Sequence, residues 1–362
     1  METAENDKIV LNEGQQNALD GVIKWASDVD YSYSNQIMTL GGDAGTGKTT
    51  VIREIVNNFP STVVAAFTGK AAYVLRNKGV DASTVHSLIY RYEPKTDEFV
   101  LRDYLASKPR LIIIDEGSMI NEQLFNDLTS FGIKVLFVGD PKQLEPIGGD
   151  PNLMKDLDFQ LTEIHRQAAE SPIIQFSQVV ANGLPFRDGT MGDLRIALAD
   201  EFTAENVLKH DQALCGFNRT RVNINNEVRA LLGHRGILDV GEKVICLQNN
   251  HRLGVLNGML CTVVAILEEK NSSIKAEVED DLGTVRVVDM IKAQFGSAHK
   301  RDDYYSRVST LWDYGYCITC HKSQGSEWDS VIAFEELWNK WDPRRWRYTA
   351  VTRAANKLTY CV

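Results

Sequence analysis

Short apolar runs alternate with amphipathic segments through the first 140 residues of the chain. The apolar runs, rich in aliphatic and β-branched residues, lie at 36–40, 62–67, 111–114 and 134–138. Segments with apolar residues at helical spacing lie at 9–26, 50–56, 70–75 and 122–130. Strands that are apolar on both faces and alternate with helices predict a parallel sheet covered by helices on both sides.

One segment, from about residue 82 to 109, interrupts this alternation. Aromatic and β-branched residues there flank the turn sequence Pro94-Lys95-Thr96-Asp97, which predicts a small protruding hairpin. A long surface loop is the alternative interpretation. We therefore predict a first α/β domain over residues 1–183, with a hairpin insertion at about 82–109.

The α/β pattern returns from about residue 184, but it is interrupted by a region whose sequence predicts only short strands and turns. The predicted helix of this part lies at 220–232, and its strands lie at 213–217, 316–320, 331–334 and 358–362. Residues 243–311 instead contain short strands punctuated by Asn257-Gly258 and Asp281-Leu282-Gly283. We predict a second α/β domain over 184–242 and 312–362, with a small β-barrel inserted at 243–311.

The stretch at residues 42–49 fits the phosphate-loop pattern G-x-x-x-x-G-K-[ST] at every fixed position. It follows a predicted strand and precedes a predicted helix, which is the context that the pattern requires. Glycines let the backbone N–H groups converge on phosphates, and the helix N-terminus adds partial positive charge. Lys48 is expected to reach the β- and γ-phosphates, and Thr49 to hold Mg²⁺. The predicted nucleotide-binding residues here are Gly42, Asp43, Ala44, Gly45, Thr46, Gly47, Lys48, Thr49 and Thr50.

Asp115 and Glu116 directly follow a run of four aliphatic residues. Ligands of parallel sheets bind at the carboxyl ends of the strands, where the phosphate loop, this pair and Asp140 are all predicted to lie. Asp115 is a candidate second ligand for the Mg²⁺ that Thr49 holds. Glu116 is a candidate for orienting and deprotonating an attacking water.

Bulk properties exclude some classes of protein. The composition is that of a globular protein, and no apolar run is long enough to span a membrane. The polar, acidic N-terminus is unlike a signal peptide, so we expect a cytoplasmic protein. The six cysteines suggest small buried residues rather than disulfides or a metal site. The net charge of −10 argues weakly against nucleic-acid binding, although a groove needs only local positive charge.

A series of motifs places the chain beside one enzyme family. The segments that carry the resemblance are 11–15, 42–49, 66–72, 83–86, 115–119, 139–146, 161–167, 320–327 and 348–354. In this order they resemble superfamily 1 helicases of the RecD/Dda-like branch, over about residues 11–362. Two positions depart from the family pattern: Phe67 replaces a usual proline, and Gly117 replaces a usual aliphatic residue.

The resemblance implies an α/β fold of two RecA-like parallel-sheet domains, with a small SH3-like β-barrel inserted in the second. It also implies roles for individual residues. The implied catalytic residues are Lys48, Glu116, Gln143, Arg166 and Arg353, with Arg353 as an arginine finger. Gln15 is expected to read the adenine edge of ATP, and Gly325 and Glu327 to line the nucleotide site. The implied DNA contacts are Thr68, Gly69, Lys70, Ser83, Thr84, His86, Thr319, His321, Lys322 and Ser323.

The implied function is an ATP- and Mg²⁺-dependent DNA helicase that moves 5′ to 3′ on single-stranded DNA, with the hairpin splitting tailed or forked duplexes. A translocase with little unwinding, an RNA-directed relative and a nucleotide-gated binding module are the alternatives. We expect a monomer. Because few residues precede the 11–15 segment, we also expect a stand-alone enzyme without the extra N-terminal domain of RecD-type subunits. The short barrel suggests a weaker grip on the strand than in Dda. We expect Trp338, Trp341 and Trp346 to serve core and loop packing.

Overall fold

The computed structural model describes residues 10–93, 98–146, 149–164, 170–248, 250, 253–281, 283–299 and 309–362. Two six-stranded sheets, a five-stranded sheet and a two-stranded hairpin make up its β-structure. Within the described ranges, no helix is both long and apolar enough to cross a membrane.

A parallel six-stranded sheet forms the centre of the first domain, with the strand order β3-β2-β6-β7-β1-β8. Its elements are α1 (Glu13–Ser27), β1 (Ile37–Gly42), α2 (Lys48–Asn58), β2 (Thr62–Ala66), α3 (Gly69–Asn77), β3 (Ala82–Thr84), α4 (Val85–Ile89), β4 (Tyr90–Glu93), β5 (Glu98–Leu101), β6 (Leu111–Asp115), α5 (Glu122–Thr129), β7 (Lys134–Gly139) and β8 (Phe159–Leu161). Strands β6 and β7 are almost entirely buried, as their unbroken apolar runs predict.

The second six-stranded sheet has the order β17-β11-β18-β19-β10-β9 and is parallel except for β9. The elements of the rest of the chain are α6 (Pro172–Ala181), β9 (Gly189–Met191), β10 (Leu194–Ala197), α7 (Ala204–Val207), β11 (Gln212–Cys215), α8 (Asn218–Leu231), β12 (Lys243–Cys246), β13 (Leu260–Glu269), β14 (Ser273–Asp280), β15 (Val285–Ile291), β16 (Trp312–Tyr314), β17 (Cys317–Thr319), β18 (Trp328–Phe334), α9 (Pro343–Val351) and β19 (Ala354–Cys361). Asp342 caps α9 and Pro343 is its first residue, a position that suits proline because its missing N–H would have no partner there.

An antiparallel five-stranded sheet with the order β15-β14-β13-β12-β16 occupies the predicted insertion. A bridge between Met290 and Thr310 connects β15 with the residues just before β16. The sheet extends to Tyr314, three residues beyond the predicted end of the insertion at 311. Its antiparallel character agrees with the sequence, while closure into an SH3-like barrel stays a prediction.

The hairpin is shorter than the sequence suggests. Strands β4 and β5 pair antiparallel, and the turn predicted at 94–97 lies outside the described residues. The predicted insertion at 82–109 is therefore too wide, because β3 pairs in parallel with β2 and belongs to the central sheet. The sequence did not reveal β3, since a strand of three residues is too short for a periodic signal.

Helix α6 corrects the predicted domain boundary at residue 183. Its buried residues Ile173, Phe176 and Val180 belong to the hydrophobic core of the second domain. There Phe176 packs edge-on against Tyr360 of β19, with ring centroids 5.4 Å apart. The apolar positions of α6 show that it is amphipathic, but only the packing shows which sheet it covers.

Cysteine and tryptophan placement was only partly predictable. All six cysteines are buried and free, as the sequence predicts. Trp346 is fully buried, whereas Trp338 is 46% exposed. Trp341 lies against His321, with ring centroids 4.9 Å apart. The expectation of core packing is thus confirmed for Trp346, while Trp338, although half-exposed, packs in its loop against Trp341, with ring centroids 6.0 Å apart.

Candidate functional site

The phosphate loop, residues 42–49, joins β1 to α2 as the pattern predicts. Gly45 (φ 80°) and Gly47 (φ 81°) adopt the left-handed conformation that favours glycine, which curls the loop around its own N–H groups. The buried Thr46 hydroxyl donates to the Asp43 carbonyl at 2.9 Å. Lys48 Nζ donates to the carbonyl oxygens of Gly42 (2.7 Å) and Asp43 (3.0 Å), so its charge lies at the loop. Thr49 and Thr50 form the first turn of α2.

The side chain of Gln15 contacts the backbone of the phosphate loop. It is fully buried at the start of α1, where it forms a capping box with Asn12. Its side-chain amide donates to the carbonyl oxygen of Thr46 at 3.0 Å. The structure therefore brings Gln15 to the nucleotide loop as a support for the backbone, and its predicted contact with adenine stays a prediction.

Asp115 ends β6 and Glu116 follows it, while Asp140 follows β7, the strand between β6 and β1. Burial raises the pKa of Asp115, and the nearby charge of Glu116 raises it further, while Lys48 acts in the opposite direction. Burial also raises the pKa of Asp140, which Lys48 and Tyr348 counteract. A divalent cation would relieve this accumulation of buried negative charge, so the site suits Mg²⁺ held by Asp115 and the Thr49 hydroxyl.

Within the described part of the chain, no group of three or more His, Cys, Asp or Glu residues forms a metal cage. Mg²⁺ commonly binds through one or two protein groups together with substrate phosphates and water, which fits two protein ligands. Glu116 itself has a left-handed backbone (φ 59°), an unusual conformation for a residue with a side chain.

The segment at 139–146 connects the loop with the second domain. Gln143 is 5% exposed, and its Oε1 has no hydrogen-bond partner among the described residues. A buried amide oxygen without a partner is uncommon and fits a side chain whose partner is a ligand or water. Lys142 Nζ lies 2.5 Å from Asp43 Oδ2, which ties this segment to the phosphate loop.

Helix α9 of the second domain docks on these same residues. The Tyr348 hydroxyl accepts from Ala44 N at 2.9 Å and donates to Asp140 Oδ2 at 2.6 Å. The Thr349 hydroxyl oxygen accepts from Leu144 N at 3.0 Å. The two α/β domains therefore meet at the phosphate loop, where the sequence predicts the nucleotide.

The two predicted arginines have different outcomes. Arg166 lies outside the described residues, so its role stays a prediction. Arg353 is 4% exposed, and its guanidinium donates to Thr349 O, Ser326 O and Thr352 Oγ1 at 2.9–3.1 Å. These partners belong to its own domain, so an arginine-finger role would require Arg353 to exchange them for the phosphate. That role also stays a prediction.

A cavity of about 1190 Å³ lies among the first domain, the second domain and the five-stranded sheet. Eight of the ten predicted DNA contacts line it: Thr68, Gly69, Lys70, Ser83, Thr84, Thr319, His321 and Lys322. Thr68 and Thr84 also cap α3 and α4. The structure thus brings side chains from distant parts of the sequence to one surface that carries positive charge and hydroxyl groups.

The other two predicted contacts lie elsewhere. Ser323 is fully buried and donates to the Cys320 carbonyl at 2.7 Å. His86 packs against the rings of Phe67 and Tyr90, at centroid distances of 6.2 and 5.7 Å. Neither lines the cavity, so the structure gives no support to the prediction that they contact DNA.

Gly325 and Glu327, the predicted nucleotide contacts of the second domain, lie near the cavity. The Thr68 hydroxyl donates to Gly325 O at 3.1 Å, across the boundary between the domains. Glu327 is exposed, and its charge acts on Lys70. The structure thus places both residues beside the cavity, and their contact with nucleotide stays a prediction.

Matches to family models agree with the motif order. A model of the AAA domain matches residues 10–189, and a model of the UvrD-like helicase C-terminal domain matches residues 314–360. The ATP-dependent RecD2 DNA helicase of Deinococcus radiodurans is 27% identical over 92% of this chain and 48% of its own length. The ATP-dependent DNA helicase Dda of Enterobacteria phage T4 is 34% identical over 48% of this chain and 43% of its own. The chain belongs to the RecD/Dda-like superfamily 1 helicases.

This helicase-family chain spans about half the length, or less, of these curated relatives. Its fold resembles that of Pif1 helicases. A Pif1 structure from work on unwinding at forked duplex DNA has a TM-score of 0.61 and 20% identity, covering 98% of this chain and 92% of that one. A Bacteroides Pif1 helicase with ADP-AlF3 and single-stranded DNA has a TM-score of 0.57 at 20% identity, covering 97% and 92%. Both likenesses concern the fold.

Several residues of this helicase-family site escaped the sequence analysis. Asn257 Oδ1, from the loop before β13, accepts from Lys322 Nζ at 2.5 Å at the cavity. Arg76 and Arg286 also line the cavity. Tyr348 lies in a segment that the sequence singled out, yet nothing in the pattern indicated that its hydroxyl reaches the phosphate loop. Only contacts between distant segments reveal these roles.

Proposed function

We propose that this protein is an ATP-dependent DNA helicase that moves 5′ to 3′ on single-stranded DNA. The observation that carries the proposal is the cavity of about 1190 Å³, which lies between two domains that meet at a phosphate loop. A motor needs a nucleotide site and a strand-binding surface that respond to the same domain movement, and the arrangement supplies both. The direction of movement rests on the family alone.

The proposed chemistry uses groups at the ends of the parallel strands. Lys48 would neutralise charge on the phosphates, and Glu116 would orient the attacking water and accept its proton. Gln143 would orient that water or the γ-phosphate through its buried amide. Mg²⁺ held by Thr49 and Asp115 would supply charge stabilisation for the phosphoryl transfer. Arg353 and Arg166 would stabilise the transferring phosphoryl group if domain movement brings them to it.

The proposed coupling between hydrolysis and movement passes through contacts between the domains. The hydrogen bond from Thr68 to Gly325 joins the two strand-binding segments across the cavity, and α9 joins the phosphate loop to the second domain. Opening and closing of the cleft would therefore change the distance between two grips on the strand. The hairpin of β4 and β5 would separate the duplex ahead of these grips.

Strand displacement with ATP and Mg²⁺ tests the proposal, using one duplex with a 5′ single-stranded DNA tail and one with a 3′ tail. We expect unwinding from the 5′ tail alone. Unwinding from the 3′ tail would retain the motor and refute the direction. DNA-stimulated ATP hydrolysis without unwinding of either duplex would indicate a translocase, and stronger stimulation by RNA would indicate an RNA-directed enzyme.

The Lys48→Ala variant tests the site itself. Removing the ammonium group from the loop should abolish measurable ATP hydrolysis and leave the fold intact, because Lys48 is partly exposed. Persistent hydrolysis with normal kinetics would show that the nucleotide site lies elsewhere. Circular dichroism of the variant controls for loss of structure.

A further inference from the structure

Helix α9 makes several of the hydrogen bonds that join the two RecA-like domains. Arg345 Nη1 donates to Gln143 O at 2.8 Å, and Thr349 Oγ1 accepts from Leu144 N at 3.0 Å. Both bonds reach the backbone of the 139–146 segment. They hold the domains together without touching the phosphate loop.

Tyr348 differs from these neighbours because its hydroxyl reaches the phosphate loop itself. It accepts from Ala44 N at 2.9 Å and donates to Asp140 Oδ2 at 2.6 Å. A tyrosine hydroxyl has one hydrogen to donate and lone pairs to accept with, so both bonds form at the same time. The residue is fully buried, so the hydroxyl has no contact with bulk water.

The charges around this hydroxyl favour the same arrangement. Burial raises the pKa of Tyr348, so the phenol keeps its proton and remains a donor. Burial raises the pKa of Asp140, while the charge of Lys48 and the Tyr348 hydrogen bond act in the opposite direction. Asp140 Oδ1 also accepts from Lys142 N at 2.9 Å. The phosphate loop, the 139–146 segment and the second domain thus meet at one hydroxyl group.

Arg353, which follows α9 in the chain, makes its hydrogen bonds within the second domain. A change in the conformation of the phosphate loop therefore acts on α9 directly, through the hydrogen bonds of Tyr348. The N–H groups of a phosphate loop are its phosphate-binding groups, and the bond from Ala44 engages one of them.

We propose that the Tyr348 hydroxyl is a positioning group that couples the state of the phosphate loop to closure of the two domains. The inference rests on the proposed nucleotide site. Nucleotide binding that alters the Ala44 and Asp140 bonds changes the stability of the closed arrangement, and closure changes nucleotide affinity by the same factor. Loss of one hydrogen bond to a buried charged group corresponds to about tenfold in an equilibrium constant.

Two variants distinguish coupling between the phosphate loop and domain closure from simple contact between the two domains. Tyr348→Phe removes only the hydroxyl that touches the loop. Thr349→Val removes a bond between the domains that does not touch the loop. Tyr316→Phe controls for loss of a buried hydroxyl, because the Tyr316 hydroxyl lies beside the backbone of Lys243 in the five-stranded sheet.

Domain closure is measured without hydrolysis, by fluorescence energy transfer between dyes on Asn57→Cys and Glu227→Cys. Both positions are exposed, and all six native cysteines are buried, so dyes would select the introduced thiols. The ratio of closed to open molecules is recorded without nucleotide and with a saturating non-hydrolysable ATP analogue. The ratio measured with the analogue, divided by the ratio measured without nucleotide, gives the coupling between nucleotide binding and domain closure.

We expect Thr349→Val to lower both ratios and to leave the factor between them unchanged. Because phosphate would compete with the Tyr348 hydroxyl for Ala44 N, Tyr348→Phe should lower the ratio without nucleotide about tenfold and the ratio with the analogue less, so the factor between the two ratios rises. Tyr316→Phe should behave as wild type. An unchanged factor in Tyr348→Phe would overturn the inference while leaving the proposed function in place. An analogue that does not bind the wild-type protein would instead refute the proposed nucleotide site.

Discussion

Glu116 has a strained backbone conformation, which lowers the stability of the folded protein. Its left-handed backbone (φ 59°) costs a residue with a side chain on the order of 1–3 kcal/mol. The residue directly follows Asp115, where β6 ends at the edge that holds the phosphate loop. Strain of this kind persists where the surroundings fix it, and its position supports the proposed role of Glu116 in orienting water.

Gln15 offers a test of what one buried amide does. Its hydrogen bond to Thr46 O supports the phosphate loop whatever base the nucleotide carries. We expect Gln15→Ala to weaken both ATP and GTP binding by similar factors and to destabilise the protein by about 1–3 kcal/mol, because buried partners lose their bonds. Titration with both nucleotides and urea unfolding measure these effects. A loss confined to ATP would instead show that Gln15 reads the adenine edge.

At the scale of elements, the cavity depends on turns that bring strand ends and helix starts together. Gly325 lies in one such turn, with a φ of 69°, after the 3₁₀ turn that follows β17. A Cβ there would lie 3.0 Å from Thr68 Oγ1 and Cγ2. The turn therefore needs glycine both for its backbone and for the close approach of α3.

Alanine variants of two glycines distinguish the backbone requirement at Gly325 from the requirement for close approach of α3. Gly325→Ala should destabilise the protein by about 1–2 kcal/mol through backbone strain and should also weaken single-stranded DNA binding by displacing Thr68. Gly79→Ala is the matched control, because Gly79 has a φ of 82° and open space around its Cβ position. Thermal unfolding and DNA titration of both variants measure the difference. If the Gly325→Ala and Gly79→Ala variants bind single-stranded DNA with equal affinity, the turn at Gly325 is not part of the strand-binding surface.

The hairpin of β4 and β5 carries a second prediction at this scale. Phe99 is 38% exposed, and its ring lies 5.5 Å from that of Tyr92 across the hairpin. A base stacked on an aromatic ring contributes about 1–3 kcal/mol. We expect Phe99→Ala to slow unwinding roughly tenfold or more and to leave DNA-stimulated ATP hydrolysis unchanged.

Tyr104→Ala is the control for this hairpin prediction, since Tyr104 is 71% exposed and lies after β5. It should retain normal unwinding. If the two variants unwind equally well, the hairpin does not separate the strands. Parallel loss of unwinding and hydrolysis in Phe99→Ala would instead indicate damage to the first domain.

At the scale of the whole molecule, a net charge of −10 coexists with a cavity that carries several basic residues. Some of them are paired, as Arg286 is with Asp280 and Lys70 is with Asp281. The overall charge opposes approach of a nucleic acid, while the cavity provides local attraction. DNA affinity should therefore depend steeply on salt.

Lys322 permits a direct measurement of this local attraction. The logarithm of the affinity for single-stranded DNA should fall linearly with the logarithm of salt, by about 0.7 for each phosphate contacted. Lys322→Ala should reduce the slope by about 0.7 if Lys322 contacts one phosphate. Lys275→Ala, on an exposed position of β14, makes the same change in net charge and should not alter the slope. Equal slopes in both variants would place the strand elsewhere.

The chemistry at the phosphate loop could be read from the sequence because it depends on neighbours in the chain. A strand, a glycine-rich turn and a helix start form locally, and the pattern at 42–49 encodes all three. The unbroken apolar runs of β6 and β7 likewise indicated buried parallel strands with acidic ends. The order of the motifs along the chain also indicated the family, because it is a property of the sequence itself.

Contacts between distant segments required the tertiary structure. The sequence placed α6 in the wrong domain and began the hairpin insertion too early, since an amphipathic helix or a three-residue strand does not specify its partner. The family resemblance also implied a DNA contact for Ser323, although Ser323 is fully buried. The bonds of Tyr348 to Ala44 and Asp140 span 304 and 208 residues of chain. Such contacts depend on how two domains pack, which local periodicity does not encode.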